Sequence, residues 1–138
     1  MKTPFLILLN LFLIGAAFGQ KQATTKLYFF SDPSAQLFTV SNPNEPILIN
    51  QCTLVETNLD SLGLKIFKNR IVYIHLEPGQ TYYFRRIISS HESMLATATL
   101  SACSEEDFWL NGYFAGMRTY RHYFLGKDSG LKLLAEEK

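Results

Sequence analysis

The chain has 138 residues, of which 47% are hydrophobic and 18% charged, with a formal net charge of +1. That length suits one domain with a real core. The near-neutral balance, with no long basic run, argues against nucleic-acid binding, because that affinity comes largely from lysine and arginine neutralising phosphates.

The first element is "MKTPFLILLNLFLIGAAFGQ". One basic residue, Lys2, precedes an apolar run from Phe5 to Ile14 broken only by Asn10. Ala17 and Gly19 are small residues of the kind a signal peptidase accepts three and one positions before its cut. The expectation is a signal peptide over 1–19, cleavage before Gln20 and a secreted or periplasmic product. The run is short against the roughly 20 apolar residues that span a bilayer, and no basic stop-transfer cluster follows. Stable membrane insertion after cleavage is therefore not expected.

Residues 20–138 contain no repeat and no linker, and they read as a single β-rich domain. From Lys26 to Leu100, short β-branched and aromatic runs alternate with turn residues: "KLYFF", "QLFTV", "ILINQCTLVE", "LGLKIF", "RIVYIHL". Breakers every eight to twelve residues favour an antiparallel β-sandwich. Asn69 in "FKNR" suggests a two-residue hairpin. In "IVYIHLEPGQTYYFRR", alternation places Val72, Ile74 and Leu76 on one face and Ile71, Tyr73 and His75 on the other. Likewise Tyr82 and Phe84 oppose Thr81, Tyr83 and Arg85. "EPGQ" fits a type II turn, with Pro78 presetting its torsion and Gly79 supplying the positive one. Such turns splay strands, so either a bulge sits beside Gly79 or the two strands part toward different sheets.

Past residue 100 the pattern changes. In "SEEDFWLNGYFAG", Ser104 stands in a capping position and Glu105, Glu106 and Asp107 complement a helix amino terminus. A short helix near 105–111 follows, burying Phe108 and either Trp109 or Leu110. "RTYRHYFL" reads as a strand and "DSGLKLLAEEK" as a short C-terminal helix. The two cysteines, Cys52 and Cys103, form the default disulfide of an oxidising compartment. Closing a loop of about 50 residues stabilises by roughly 4 kcal/mol in the chain-entropy model.

Catalytic readings find little support. A thiol nucleophile at Cys103 would stand among three carboxylates, which disfavour a thiolate. His75, His91 and His122 lack the local spacing of metal ligands, so no metal and no cofactor is expected. "SSHES", Ser89 to Ser93, places its serine, histidine and glutamate too close together to converge on one atom, and no "GxSxG" elbow exists. The acids at 105–107 are explained by the helix start, and "LGKDSG" at 125–130 is too sparse for a phosphate loop. The aromatic load of 11 Phe, 7 Tyr and 1 Trp exceeds these needs. Tyr73, Tyr83, Arg85, Tyr120 and Arg121 are the candidates for an outer face that contacts an envelope protein or a glycan.

At "VYIHLEPGQTYYF" the chain resembles the strand, Pro-Gly turn, strand unit of small exported bacterial domains of unknown function. There a short "L-x-P-G-x-(T/Y)" hairpin closes a β-sandwich. The leader ending "GAAFGQ" is similar to those of Bacteroidota. The resemblance covers residues 26 to 90 and implies fold and export; it brings no catalytic residues. The chain departs from it in lacking a lipobox cysteine and in carrying the "SEEDFWLNGYFAG" tail. The function expected is thus a non-enzymatic exported protein that binds an envelope or cell-surface partner. The alternative is a small hydrolase or metal-dependent enzyme using His75, His91 or His122.

Overall fold

The computed structural model describes residues 23–31, 34–67, 70–90, 96–117 and 119–137. The leader, the hairpin tip at Asn69 and His91 lie outside these residues. Among the described residues, ten strands and one helix follow in chain order. They are β1 (Thr25–Phe30), β2 (Ala35–Thr39), β3 (Pro46–Ile49), β4 (Cys52–Thr57), β5 (Ser61–Phe67), β6 (Arg70–His75), β7 (Thr81–Ser90) and β8 (Ala96–Cys103). Helix α1 (Glu105–Phe114) comes next, then β9 (Tyr120–Gly126) and β10 (Gly130–Glu137).

The strands form two sheets. One has six strands in the order β10-β9-β4-β1-β7-β8, and the other has four in the order β3-β2-β5-β6. The chain shuttles between them: β1 lies in the larger sheet, β2 and β3 in the smaller, β4 in the larger, β5 and β6 in the smaller. The expected antiparallel arrangement holds only in part, because β1 pairs with β7 and β4 with β9 in parallel. A chain that leaves a sheet and re-enters it can lay down its next strand in either direction, and alternation of side chains carries no trace of that choice.

The Pro-Gly turn accounts for one of these crossings. Gly79 has φ 79°, and the Gln80 N–H donates to the Glu77 carbonyl at 3.2 Å. The turn splays its flanking strands, so β6 joins the smaller sheet and β7 the larger. The faces around it divide as alternation requires. Leu76 and Phe84 are buried, Val72, Ile74 and Tyr82 pack against the core, and Ile71, Tyr73 and His75 are exposed.

The core lies between the sheets. Leu27, Phe29, Val55, Phe84, Tyr123 and Leu125 from the larger meet Leu37, Ile47, Ile49, Leu62, Leu64 and Ile66 from the smaller. Each such side chain contributes about 1.5–3 kcal/mol when fully buried. Two polar groups of this layer are partnered: the Thr57 hydroxyl donates to the Leu125 carbonyl at 2.7 Å, and the Tyr123 hydroxyl accepts the Leu48 N–H at 3.3 Å.

Two expectations are corrected here. The segment read as a C-terminal helix is β10, an eight-residue strand paired antiparallel with β9 from Gly130↔Gly126 to Glu137↔Tyr120. Gly130, at φ 66°, closes the reversal through Lys127–Ser129. "LKLLAEE" is made of good helix formers, yet the open edge of β9 offers the backbone a full ladder, and that outweighs a weak local propensity.

The second correction concerns the disulfide. Cys52 and Cys103 are both free thiols, and both stand in the larger sheet, with β1 and β7 between their strands. Three inter-strand steps separate them by about 14 Å, twice the Cα separation of about 7 Å beyond which no bridge closes. They also stand out of register, since Cys103 aligns through Tyr83 and Tyr28 with Leu54.

Candidate functional site

Helix α1 lies on the outer face of the larger sheet. Its start is set locally: the Ser104 hydroxyl accepts the Asp107 N–H at 3.1 Å, and Glu105, Glu106 and Asp107 occupy the first turn. Its end is set by Gly116, at φ 66°, whose N–H donates to the Tyr113 carbonyl at 3.1 Å while the Met117 N–H donates to Gly112 at 2.9 Å. The helix therefore runs one turn beyond the expected 105–111.

Beneath it lies a floor of rings. Tyr28 and Tyr83 are directly opposed on the parallel strands β1 and β7, and they stack at 5.1 Å with planes 10° apart. Phe108, fully buried, descends onto this floor at 6.0 Å from Tyr28, 5.3 Å from Tyr83 and 6.4 Å from Phe30. Trp109 leans edge-on over Tyr28 at 5.6 Å. Burial, helped by the Glu105 carboxylate at its hydroxyl, pushes the Tyr83 phenol up to about 12.

The opposite side of the same helix is also apolar. Trp109 is 41% exposed, Leu110 51%, Tyr113 80% and Phe114 78%, with the last two rings 5.8 Å apart. Tyr113 and Phe114 stand one turn from Leu110, so these three form a ridge projecting into solvent, with Trp109 on its flank against Tyr28. The three exposed carboxylates stand at its start, and the last turn carries no basic residue.

The five residues singled out from the sequence do not share a surface. Tyr73 is 71% exposed on the outer face of the smaller sheet. Val40 and Ile71 on the same side help line a groove of about 450 Å³ with Phe38, Thr39, Pro43 and Lys65. Tyr83 lies beneath α1. Arg85, also on the outer face of the larger sheet, stands beside Cys103, whose thiol burial raises despite the guanidinium. Tyr120 occupies the outer face of β9 beside the His122 ring at 6.3 Å. Arg121 points the other way and pairs with Glu136 at 2.7 Å.

The described histidines do not converge either. His75 is exposed on β6 of the smaller sheet, while His122 stands on β9 of the larger with Nε2 3.2 Å from Glu56 Oε1. That contact has the distance of an ion pair without the alignment of a hydrogen bond. Among the described residues, no group of three or more His, Cys, Asp or Glu side chains is placed to hold a metal ion, and no helix is long and apolar enough to cross a membrane. Cys52 is buried, which pushes its thiol up to about 11 and away from nucleophilic use.

The ridge at Leu110, Tyr113 and Phe114 was not legible in the aromatic pattern taken alone. The signal that reveals it is Gly116: a glycine two residues past "YF" marks the helix terminus and carries the helix through Phe114. Compared with protein-family models, curated proteins and solved structures, the chain matches none.

Proposed function

We propose that this chain is an exported, non-enzymatic binding protein that engages a protein partner through the outward ridge of α1. The observation that carries the reading is the exposure of Tyr113 and Phe114, 80% and 78%, on a helix already anchored by Phe108. Two large rings held in water on a pre-organised element are what interfaces bury and what isolated domains avoid. Because the helix sits on top of the sheet, the ridge is convex and fits a groove. A glycan platform needs a flat or concave ring surface with hydrogen-bonding groups around it, and among the described residues of α1 the ridge has Asn111 and the carboxylates of the first turn beside it. Glu105, Glu106 and Asp107 beside the rings call for an apolar groove with a basic rim at one end. Export rests on the leader: the apolar run to Ile14 and the small residues Ala17 and Gly19.

A photoreactive phenylalanine analogue at position 113 or 114 identifies the occupant, and affinity for that purified protein then decides the proposal. Tyr113→Ala and Phe114→Ala are each expected to weaken binding by about tenfold to a hundredfold. Raising the salt should slow association, through the three carboxylates. Unchanged affinity in both variants overturns the assignment. Recovery of the protein outside the cytoplasm beginning at Gln20 supports export; an intact Met1 on the cytoplasmic form as the sole product removes it.

A further inference from the structure

The two sheets present four edges, and three carry features that discourage pairing with another chain. β3 is four residues long and opens with Pro46; β6 carries Arg70 and His75. β10 carries Lys132, Glu136 and Glu137, and its register shifts between Leu133 and Ala135. Short length, proline, charge and irregularity are the means by which edge strands are kept from adding a neighbour.

β8 has none of these. "ATATLSAC" contains no charge, no proline and no glycine, and it pairs with β7 without interruption from Tyr83↔Cys103 to Ser90↔Ala96. Its other side is unpaired among the described residues, and the chain leaves it at Ser104 to pass over the outer face, not along the edge. The apolar residues beside this edge are open too: Ile87 is 40% and Ile88 44% exposed, and Ala102 is exposed.

We infer that β8 is a strand-addition site for a second copy of this chain, joined antiparallel about a two-fold axis at Leu100 to make one sheet continuous across both subunits. Faces fix the choice of axis. Opposed residues in an antiparallel pair point to the same side of a sheet, so a two-fold perpendicular to the sheet passes through a residue, not between two. Centred on Leu100, it opposes Leu100 to the partner's Leu100, Ala98 to the partner's Ala102 and Thr99 to the partner's Ser101. Thr99 with Ser101 is a pairing that cross-strand contacts favour, the two apolar pairings are compatible with it, and none brings charge against charge. The nearest cations, Arg85 and Arg86 on β7, would face their counterparts across three strand spacings, about 14 Å, beyond the screening length of about 8 Å in physiological salt. A net charge of +1 adds little repulsion between copies.

Sedimentation of the full chain across a concentration series is the test, with two variants differing at one residue. The native chain is expected to pass from once to twice its mass in the micromolar range. Thr99→Lys with Ser101→Lys opposes ammonium groups in two pairs and is expected to raise the dimer dissociation constant at least about tenfold. Thr99→Lys with Ser101→Glu opposes ammonium to carboxylate in the same two pairs and is expected to restore the dimer. A native chain that stays monomeric throughout overturns the proposal, as does a dimer indifferent to both variants or one abolished equally by both. Should the substituted chains fail to fold, amide exchange in the native chain decides. Backbone N–H groups between Ala98 and Ala102 slow with rising concentration in the dimer proposed; no change in them refutes it.

Discussion

The outer faces of the two sheets begin with similar material and end differently. On the larger sheet, Tyr28, Phe30 and Tyr83 lie beneath α1 and meet Phe108 edge-on or tilted, and Phe108 is fully shielded. On the smaller sheet, Tyr73 has no element above it among the described residues and is 71% exposed. Its ring rests on Gly63, directly opposite on β5, where an added Cβ would come within 2.9 Å of both the Tyr73 ring and Val40. A ring on an outer face is therefore structural or available according to what packs on it, and α1 moves the available aromatic surface up one layer, from the sheet to its own ridge.

The largest break in that contrast is expected from Phe108→Ala. Removing the one fully buried ring of α1 should cost about 3–5 kcal/mol, read as a fall in the denaturant midpoint, with fluorescence of Trp109 reporting the loosened helix. Alkaline pH should act next, and on the larger sheet in particular. The Tyr83 phenol is pushed up to about 12 and the Cys52 thiol up to about 11, while Tyr28 and Tyr120 are raised as well, mainly by burial. In the unfolded chain thiols ionise near pH 8.5 and phenols near 10, so above those values the unfolded state holds fewer protons. Stability is then full below about pH 8.5 and declines as pH rises toward 12. Thermal melts over that range that stay level would remove the assigned burial.

Ser104→Ala deletes the cap that starts α1 and should cost about 1 kcal/mol, with helical signal lost before sheet signal on heating. Smallest is Tyr73→Ala, expected to change stability by no more than about 0.5 kcal/mol, as for exposed sites away from special features. A much larger effect there would mean that the ring supports the smaller sheet rather than merely lying on it. Thiol titration sharpens the same contrast between layers: two free thiols should be found in the unreduced, denatured protein, against none for the bridged form.

Much of the fold was legible because it depends on neighbours in sequence. Gly79 demanded a turn with positive φ, and the turn type left two outcomes, a bulge or parting strands, of which β6 and β7 show the second. Ser104 with its three acids announced a helix, since capping is satisfied within four residues. The candidate site was less legible. Tyr83, Arg85 and Tyr120 all point outward from the larger sheet, but outward is not the same as in water: all three are half-buried, Tyr83 beneath Phe108 of α1. Arg121 was grouped with its neighbour Tyr120, although consecutive strand residues point to opposite sides.

What the sequence by itself determined, then, is the alternation of faces, the turn at Gly79 and the start of α1, all consequences of local torsions and of hydrogen bonds spanning a few residues. Which strands lie side by side was decided only in three dimensions. Parallel neighbours β1 and β7, the gap between Cys52 and Cys103, and the extension of "LKLLAEE" into a strand all depend on long-range pairing. Backbone hydrogen bonds are the same for every residue but proline, so the ladder that a segment joins leaves almost no mark on its side chains.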